Sequence, residues 1–189
     1  MVPGLSVPLE IKYANASDLS ALVSIEIRAF PSSNYMRSTY KGCDLLAAHT
    51  FKTVSSLEYF TRSKCHMLAG IDSETGGIIA YSRWTIPAMY RFERAVDTSL
   101  SNNAQAQMQN MWAYAPRIGI GSAFLKWGIV KADTSNARIY LEATMEGVPV
   151  YLKHGWKIVE EIQLDYTERG GEGSQKFALM IRDPQGTGL

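Results

Sequence analysis

Only two cysteines, three histidines and no long apolar run occur in these 189 residues, and each scarcity removes a class of protein. Cys43 and Cys65 are too few for a disulfide framework and lack metal-ligand spacing, so both read as buried thiols. His49 and His66 each stand alone and read as structural residues, and no metal site is expected. No segment approaches the roughly eighteen consecutive apolar residues that span a bilayer. The amino end, MVPGLSVPLEIKY, has no basic region leading into an apolar one. A cytoplasmic protein with no membrane partner is the expectation. Nineteen basic residues face eighteen acidic ones without blocks, for a formal charge of +1, so there is no electrostatic basis for binding nucleic acid. A small-molecule partner of neutral or mixed charge suits such a surface better. No internal repeat is visible. This length predicts one well-cored domain over residues 1–189, with the oligomeric state, a homodimer included, left open.

What is present is an alternation of strand and helix patterns. Leu9 to Tyr13 alternates as a strand, and Ser17 is placed to cap a helix with the stripe Leu19, Leu22, Val23, Ile27 and Phe30. Pro31 to Gly42 reads as a mobile loop carrying Tyr35, Arg37 and Tyr40, with a second helix from about Asp44 to Thr61. Cys65–Ile71 and Gly77–Ile86 form a hairpin around Asp72-Ser73-Glu74-Thr75-Gly76. Ala88 to Asn110 is polar and weakly periodic and reads as a surface excursion. Met111–Ala115 is the central strand, Arg138–Ala143 another, and Trp156–Asp165 pairs with Lys176–Arg182 across a flexible Thr167–Ser174 loop. The class is α/β (α+β): one domain with a mixed, mostly antiparallel central sheet and helices on both faces. A strand, glycine turn, helix and strand in succession predict that Met111–Ala115 and Arg138–Ala143 lie side by side and splay near Ala115.

The most informative stretch is Arg117–Trp156. Gly119 and Gly121 immediately precede an apolar helical run, Ala123, Phe124, Trp127, Ile129 and Val130. Glycine backbone allows close approach, and the first N–H groups of the helix face outward, which is what holding a pyrophosphate requires. A Gly-x-Gly before a helix is by itself weak, because many helix ends use glycine for structural reasons.

The segments around it make the signal stronger. Gly119-Ile120-Gly121, Leu125-Lys126-Trp127-Gly128, Lys131-Ala132-Asp133, Leu141-Glu142-Ala143 and Gly147-Val148-Pro149-Val150-Tyr151-Leu152-Lys153-His154-Gly155-Trp156 stand in an unbroken order. In that order they resemble the GNAT acyltransferases, and within them the small-molecule type common in filamentous fungi. HMLAGIDSETGGIIAYSRWTIP is similar to the second and third strands of the same group, so the resemblance covers most of the chain.

The resemblance implies transfer of acetyl from acetyl-CoA to an amine or hydroxyl of a small molecule. It assigns Ile118, Gly119, Ile120, Gly121, Ser122 and Ala123 to the pyrophosphate cradle, and Tyr151 to the general acid on the departing thiolate. A phenol with an ordinary pKa of about 10 suits that task, although a helix tyrosine is more often a packing residue. Glu142, ending its strand, is the candidate base; a solvated carboxylate is the plainer reading. His154 is read most simply as a cation at a helix C-terminus. Tyr81 and Arg83 share one strand face and, with Tyr35, Arg37, Trp112 and Tyr114, are candidates to line the acceptor cleft.

One stretch departs from the family pattern. The family approaches its glycines through Pro-x-Tyr-Gln-x-x-Gly-x-Gly, whereas this chain reads Met111-Trp112-Ala113-Tyr114-Ala115-Pro116-Arg117-Ile118-Gly119. Taking Pro116 as the family's proline leaves the loop three residues short. Aligning the glycines instead makes Gln107-Met108-Gln109-Asn110 the strand, a more polar segment than that position favours. The shorter loop opens a rival reading: an enzyme of fungal small-molecule metabolism that kept the fold, lost CoA and catalyses a cyclisation or isomerisation, with Trp112 and Tyr114 filling the pantetheine space. A binding protein with a vestigial cleft is a third.

Overall fold

A computed structural model describes residues 9–30, 34–90, 108–113 and 119–186. The alternating segment Leu9–Tyr13 forms strand β1. A short 3-10 turn, Ala16–Asp18, leads into helix α1, Leu19–Ala29, and here the cap differs from expectation. Asn15 rather than Ser17 opens the turn, its N–H donating to the Asp18 carboxylate at 2.8 Å. Helix α1 buries Leu19, Leu22, Val23 and Ile25, and with them the carboxyl residue Glu26.

The segment expected as a loop holds a helix, α2, Asn34–Thr39, while residues 31–33 lie outside the described residues. Six residues make a helix of little stability alone. The stabilising contacts come from the far end of the chain: Asn34 donates to the Ser174 carbonyl at 3.0 Å, Ser38 Oγ accepts from the Glu172 N–H at 3.1 Å, and Arg37 pairs with Glu172 at 3.1 Å. Cys43, expected to be buried, is exposed, because it follows α2 in a turn outside both core clusters; Cys65 is buried. Asp44 caps α3, Leu45–Ser56, accepting from the Ala47 N–H at 2.7 Å. Leu57 separates α3 from a single turn, α4, Glu58–Thr61, where one continuous helix was expected.

The hairpin forms as its turn chemistry requires, with β2 at Cys65–Asp72, β3 at Ile78–Thr85 and Gly76 at a φ of +69° in the turn. Strand β4 spans Met108–Ala113, so it begins earlier than Met111 and ends before Ala115. The polar Gln109 and Asn110 belong to it because their backbone has partners ready on β3, Thr85 and Trp84; backbone pairing outweighs side-chain polarity here. Then follow α5, Ile120–Thr134, β5, Ile139–Thr144, α6, Val148–Lys153, β6, Lys157–Asp165, and β7, Ser174–Arg182.

Among the described residues the sheet has seven strands in the order β1-β2-β3-β4-β5-β7-β6. Among its pairings only β4 with β5 is parallel, and it is short: Met108 opposite Ile139 and Gln109 opposite Tyr140. The strands part beyond Gln109, well before Ala115, where the splay was expected. On one face α5 and α6 pack Phe124, Leu125, Ala132 and Tyr151 against Trp84, Leu141, Ala143, Ala178 and Met180. On the other, Leu22 and Ile25 of α1 cover Cys65, Met67, Ala69 and Tyr81.

Gly128 sets the distance between α5 and the sheet. A Cβ there would lie 2.1 Å from Cη2 of Trp84, a wholly buried ring. In an open helix Gly→Ala gains about 1 kcal/mol. Here the ring must move, so Gly128→Ala is expected to cost about 1–3 kcal/mol. Denaturant midpoints check it, and a gain in stability would contradict this packing.

Candidate active site

The candidate site is built on the N-terminus of α5. Gly119 has φ of +100° and ψ of −16°, a left-handed conformation that side chains resist, and among the described residues no heavy atom outside its chain neighbours lies within 4 Å of where its Cβ would be. The first helical bond runs from the Ala123 N–H to the Gly119 carbonyl at 3.1 Å. The N–H groups of Ile120, Gly121 and Ser122 therefore have no acceptor inside the helix. Ile120 is buried and anchors this turn in the core. Ile118, the remaining expected cradle residue, lies outside the described residues.

A basic recess of about 430 Å³ lies further along α5, lined among others by Lys126, Lys153, His154 and Arg182. Ser122 and Lys126 are one helical turn apart and share a face. His154 closes α6 and approaches the cradle, with Nε2 3.2 Å from Ser122 Oγ. Arg182 donates to the His154 carbonyl at 3.0 Å and grips Asp133 through two bonds of 2.6 and 3.0 Å. Burial pushes the Asp133 carboxyl up, but bonds from Arg182 and the Gln185 N–H, with the Arg182 charge, hold it below its ordinary value.

His154 does not fit the expected role of a helix-end cation. Burial, then the charges of Lys126 and Arg182, lower its pKa from the ordinary 6.5. The unfolded chain thus takes up this proton at a higher pH than the folded chain. The stabilisation is complete above about 6.5 and is lost as pH falls from there through the lowered folded value. His154→Gln is expected to flatten the fall in Tm just below pH 6.5, measured by thermal melts across pH. An unchanged slope would contradict this assignment.

Tyr151 and Glu142 lie on opposite sides of the sheet. Leu141 and Ala143 are buried in the cluster that contains Tyr151, so Glu142 between them points the other way. Tyr151 is 4% exposed, with its ring edge against Trp156 at 5.7 Å between centroids. The phenol expected to face the cleft is thus carried on a ring held within the apolar cluster. Glu142 is exposed and accepts from the Tyr140 hydroxyl at 3.1 Å. Burial and the Glu142 charge push the Tyr140 phenol up to about 12.

The expected acceptor-lining residues fall into separate groups. Tyr81 and Arg83 do share a sheet face, but Tyr81 is buried against α1, where its hydroxyl makes a very short bond to Glu26. Glu26 also pairs with Lys52 of α3 at 2.7 Å, both side chains nearly buried. Burial first, then Glu26, raises the Tyr81 pKa well above its ordinary value, so this phenol stays protonated. Tyr81 stands opposite Ala113, at the end of β4 where the sheet has opened. Arg83 lies instead over the ring of Tyr59 in α4. Arg37 ties α2 to Glu172, joining two segments that the sequence separates. Of Tyr35 only the backbone, in α2, and of Trp112 only the backbone, in β4 opposite Ser82, are described; Tyr114 lies outside the described residues.

Sequence reasoning missed Glu26, Lys52, Lys126 and Lys153. Glu26 did carry a signal, since it interrupts the apolar stripe three residues after Val23 and four after Leu22.

No protein-family model matches the sequence, and no curated protein shows significant sequence similarity to it. Solved structures do match in fold. An acetyltransferase from Corynebacterium glutamicum related to the histone acetyltransferase HPA2 superposes with a TM-score of 0.66 at 19% identity, covering 96% of this chain and 99% of that one. A GCN5-related N-acetyltransferase from Kribbella flavida gives 0.61 at 14% identity over 93% and 97%. The Salmonella typhimurium protein yncA, solved with its cofactor acetyl-CoA, gives 0.60 at 11% identity over 96% of each chain. The class defined here is a single mixed α/β domain with the fold of the GNAT acetyltransferases. Among the described residues no helix is long and apolar enough to cross a membrane, and no group of His, Cys, Asp or Glu could hold a metal ion.

Proposed function

We propose that residues 1–189 act as one domain that transfers an acetyl group from acetyl-CoA to an amine or hydroxyl of a small molecule, in the manner of the fungal small-molecule acyltransferases the sequence resembles. The observation that carries this reading is the parting of β4 from β5 beyond Gln109, followed in the chain by the open, left-handed Gly119 and three outward N–H groups. The residues present fit a pyrophosphate: among the described residues nothing crowds the turn, and the helix start favours an anion. Bound acetyl-CoA supplies an activated thioester. The Ile120, Gly121 and Ser122 N–H groups would hold its pyrophosphate, with Lys126 one turn further along α5 and Lys153 of α6 adding positive charge in the adjoining recess. Tyr151 would hold the proton for the departing thiolate, and Glu142, on the opposite side of the sheet, would take up the proton of the acceptor. The fold shared with yncA, which was solved with acetyl-CoA, supports the cofactor.

The test is release of free thiol from acetyl-CoA in the presence of a panel of small amines and alcohols. Acceptor-dependent release supports acetyl transfer; acetyl-CoA left intact with every acceptor, by a protein shown to bind it, would contradict it.

A further inference from the structure

We propose that the outward face of α3 binds a second copy of this chain, forming a twofold-symmetric dimer. The helix carries its amphipathic pattern the wrong way round. Leu46, Phe51, Val54 and Leu57 follow one another at helical spacing, yet they are 76%, 64%, 63% and 46% exposed, and Leu45 beside them is 70% exposed. Tyr40, in the turn after α2, meets the Phe51 ring edge to face at 6.4 Å and still leaves it uncovered. The side turned toward α1 holds Ala48 together with the polar residues His49, Lys52 and Ser56.

Specific bonds fix that orientation. His49 Nε2 lies 3.0 Å from Ser24 Oγ and 3.1 Å from the Ser20 carbonyl, and Lys52 pairs with Glu26 at 2.7 Å with both side chains nearly buried. Rotating α3 to bury its leucines would break all three and leave the Glu26 carboxylate without the cation beside it. The apolar face therefore stays outward until another surface covers it, and patches of this kind mark interaction sites.

Area and charge together select a second copy. Each of the five side chains exposes on the order of 100 Å², so one face offers roughly 500 Å² and two facing copies bury roughly 1,000 Å², the size at which a specific interface begins. From Leu45 to Leu57 the one Lys, Arg, Asp or Glu is Lys52, which is turned inward. An uncharged face meets its own copy without like-charge repulsion, and twofold association requires such self-complementarity. A lipid surface fits worse, because an interfacial helix sets Lys and Arg beside its apolar face and this one offers neither to solvent.

This surface is separate from the candidate active site. Helix α3 packs on α1, whereas α5 covers the other face of the sheet. The proposal therefore stands whether or not acetyl-CoA binds.

The test is analytical sedimentation of the full chain from about 1 to 100 μM. A mass of two chains is expected at the upper end, with a Kd at or below about 10 μM. Leu46→Lys and Val54→Lys, both at exposed positions, each place two like charges across the twofold axis and are expected to weaken the dimer at least about a hundredfold. Circular dichroism of both variants is expected to match the parent, since neither side chain packs in the core. A single chain at about 100 μM, which leaves the face to a different protein or to another segment of this chain, would overturn the proposal. So would an assembly of any other size, or a dimer no weaker in either charge variant.

Discussion

Replacing Tyr151 by phenylalanine is expected to lower kcat by on the order of a hundredfold while KM moves little. The two side chains differ only in the hydroxyl, and the ring's packing against Trp156 inside the apolar cluster is unchanged by the substitution. Loss of a buried hydroxyl costs about 1–3 kcal/mol of stability, less than the roughly 5–15 kcal/mol of an ordinary domain, so a fall in kcat of this size reports the missing proton and not an unfolded enzyme. Thermal melts of the variant, run beside the steady-state assay, separate the two. Unchanged turnover would remove Tyr151 from the chemistry and leave it the packing role that its burial already gives it.

Gly121→Glu is expected to abolish acetyl-CoA binding while leaving the fold intact. A carboxylate in the first turn of α5 suits the helix, whose N-terminus favours negative charge by about 0.3–1 kcal/mol, so melting should be unchanged or slightly higher. The same carboxylate occupies the anion site. Two like charges about 4 Å apart near a protein surface repel by about 4 kcal/mol, equivalent to roughly a thousandfold in affinity. Calorimetry on the variant checks it. Retained binding would show that the cradle is not at the start of α5.

The strands and the hairpin were legible because their evidence is local: alternation in β1, and the Asp-Ser-Glu-Thr-Gly turn between β2 and β3. Helix α2 was not, since Glu172 and Ser174 at the other end of the chain hold it. The start of β4 was misread because polarity argued against Gln109 and Asn110, whereas pairing with β3 decides the backbone. At the site, the glycine that opens α5 could be read directly, whereas Tyr151, expected to point into the cleft, packs its ring in the apolar cluster against Trp156. The environment of His154 could not: Lys126 and Arg182 reach it from α5 and β7, and only the folded chain brings them together. Tyr81 and Arg83 were placed on the correct shared face, yet their partners, Glu26 and Tyr59, belong to different helices and divide their roles. Lys52 carried no local sign of its partner Glu26, which lies in another helix.

The central claim is that the turn at Gly119 cradles a pyrophosphate. Calorimetric titration of the purified protein with acetyl-CoA tests it most directly. Several charge-assisted bonds to backbone N–H groups, each contributing about 1.5–3 kcal/mol, predict a Kd in the micromolar range, on the order of 1–100 μM. No heat of binding at millimolar acetyl-CoA, on the order of 1 mM or above, would contradict the account and leave the cofactor-free enzyme as the reading of this fold.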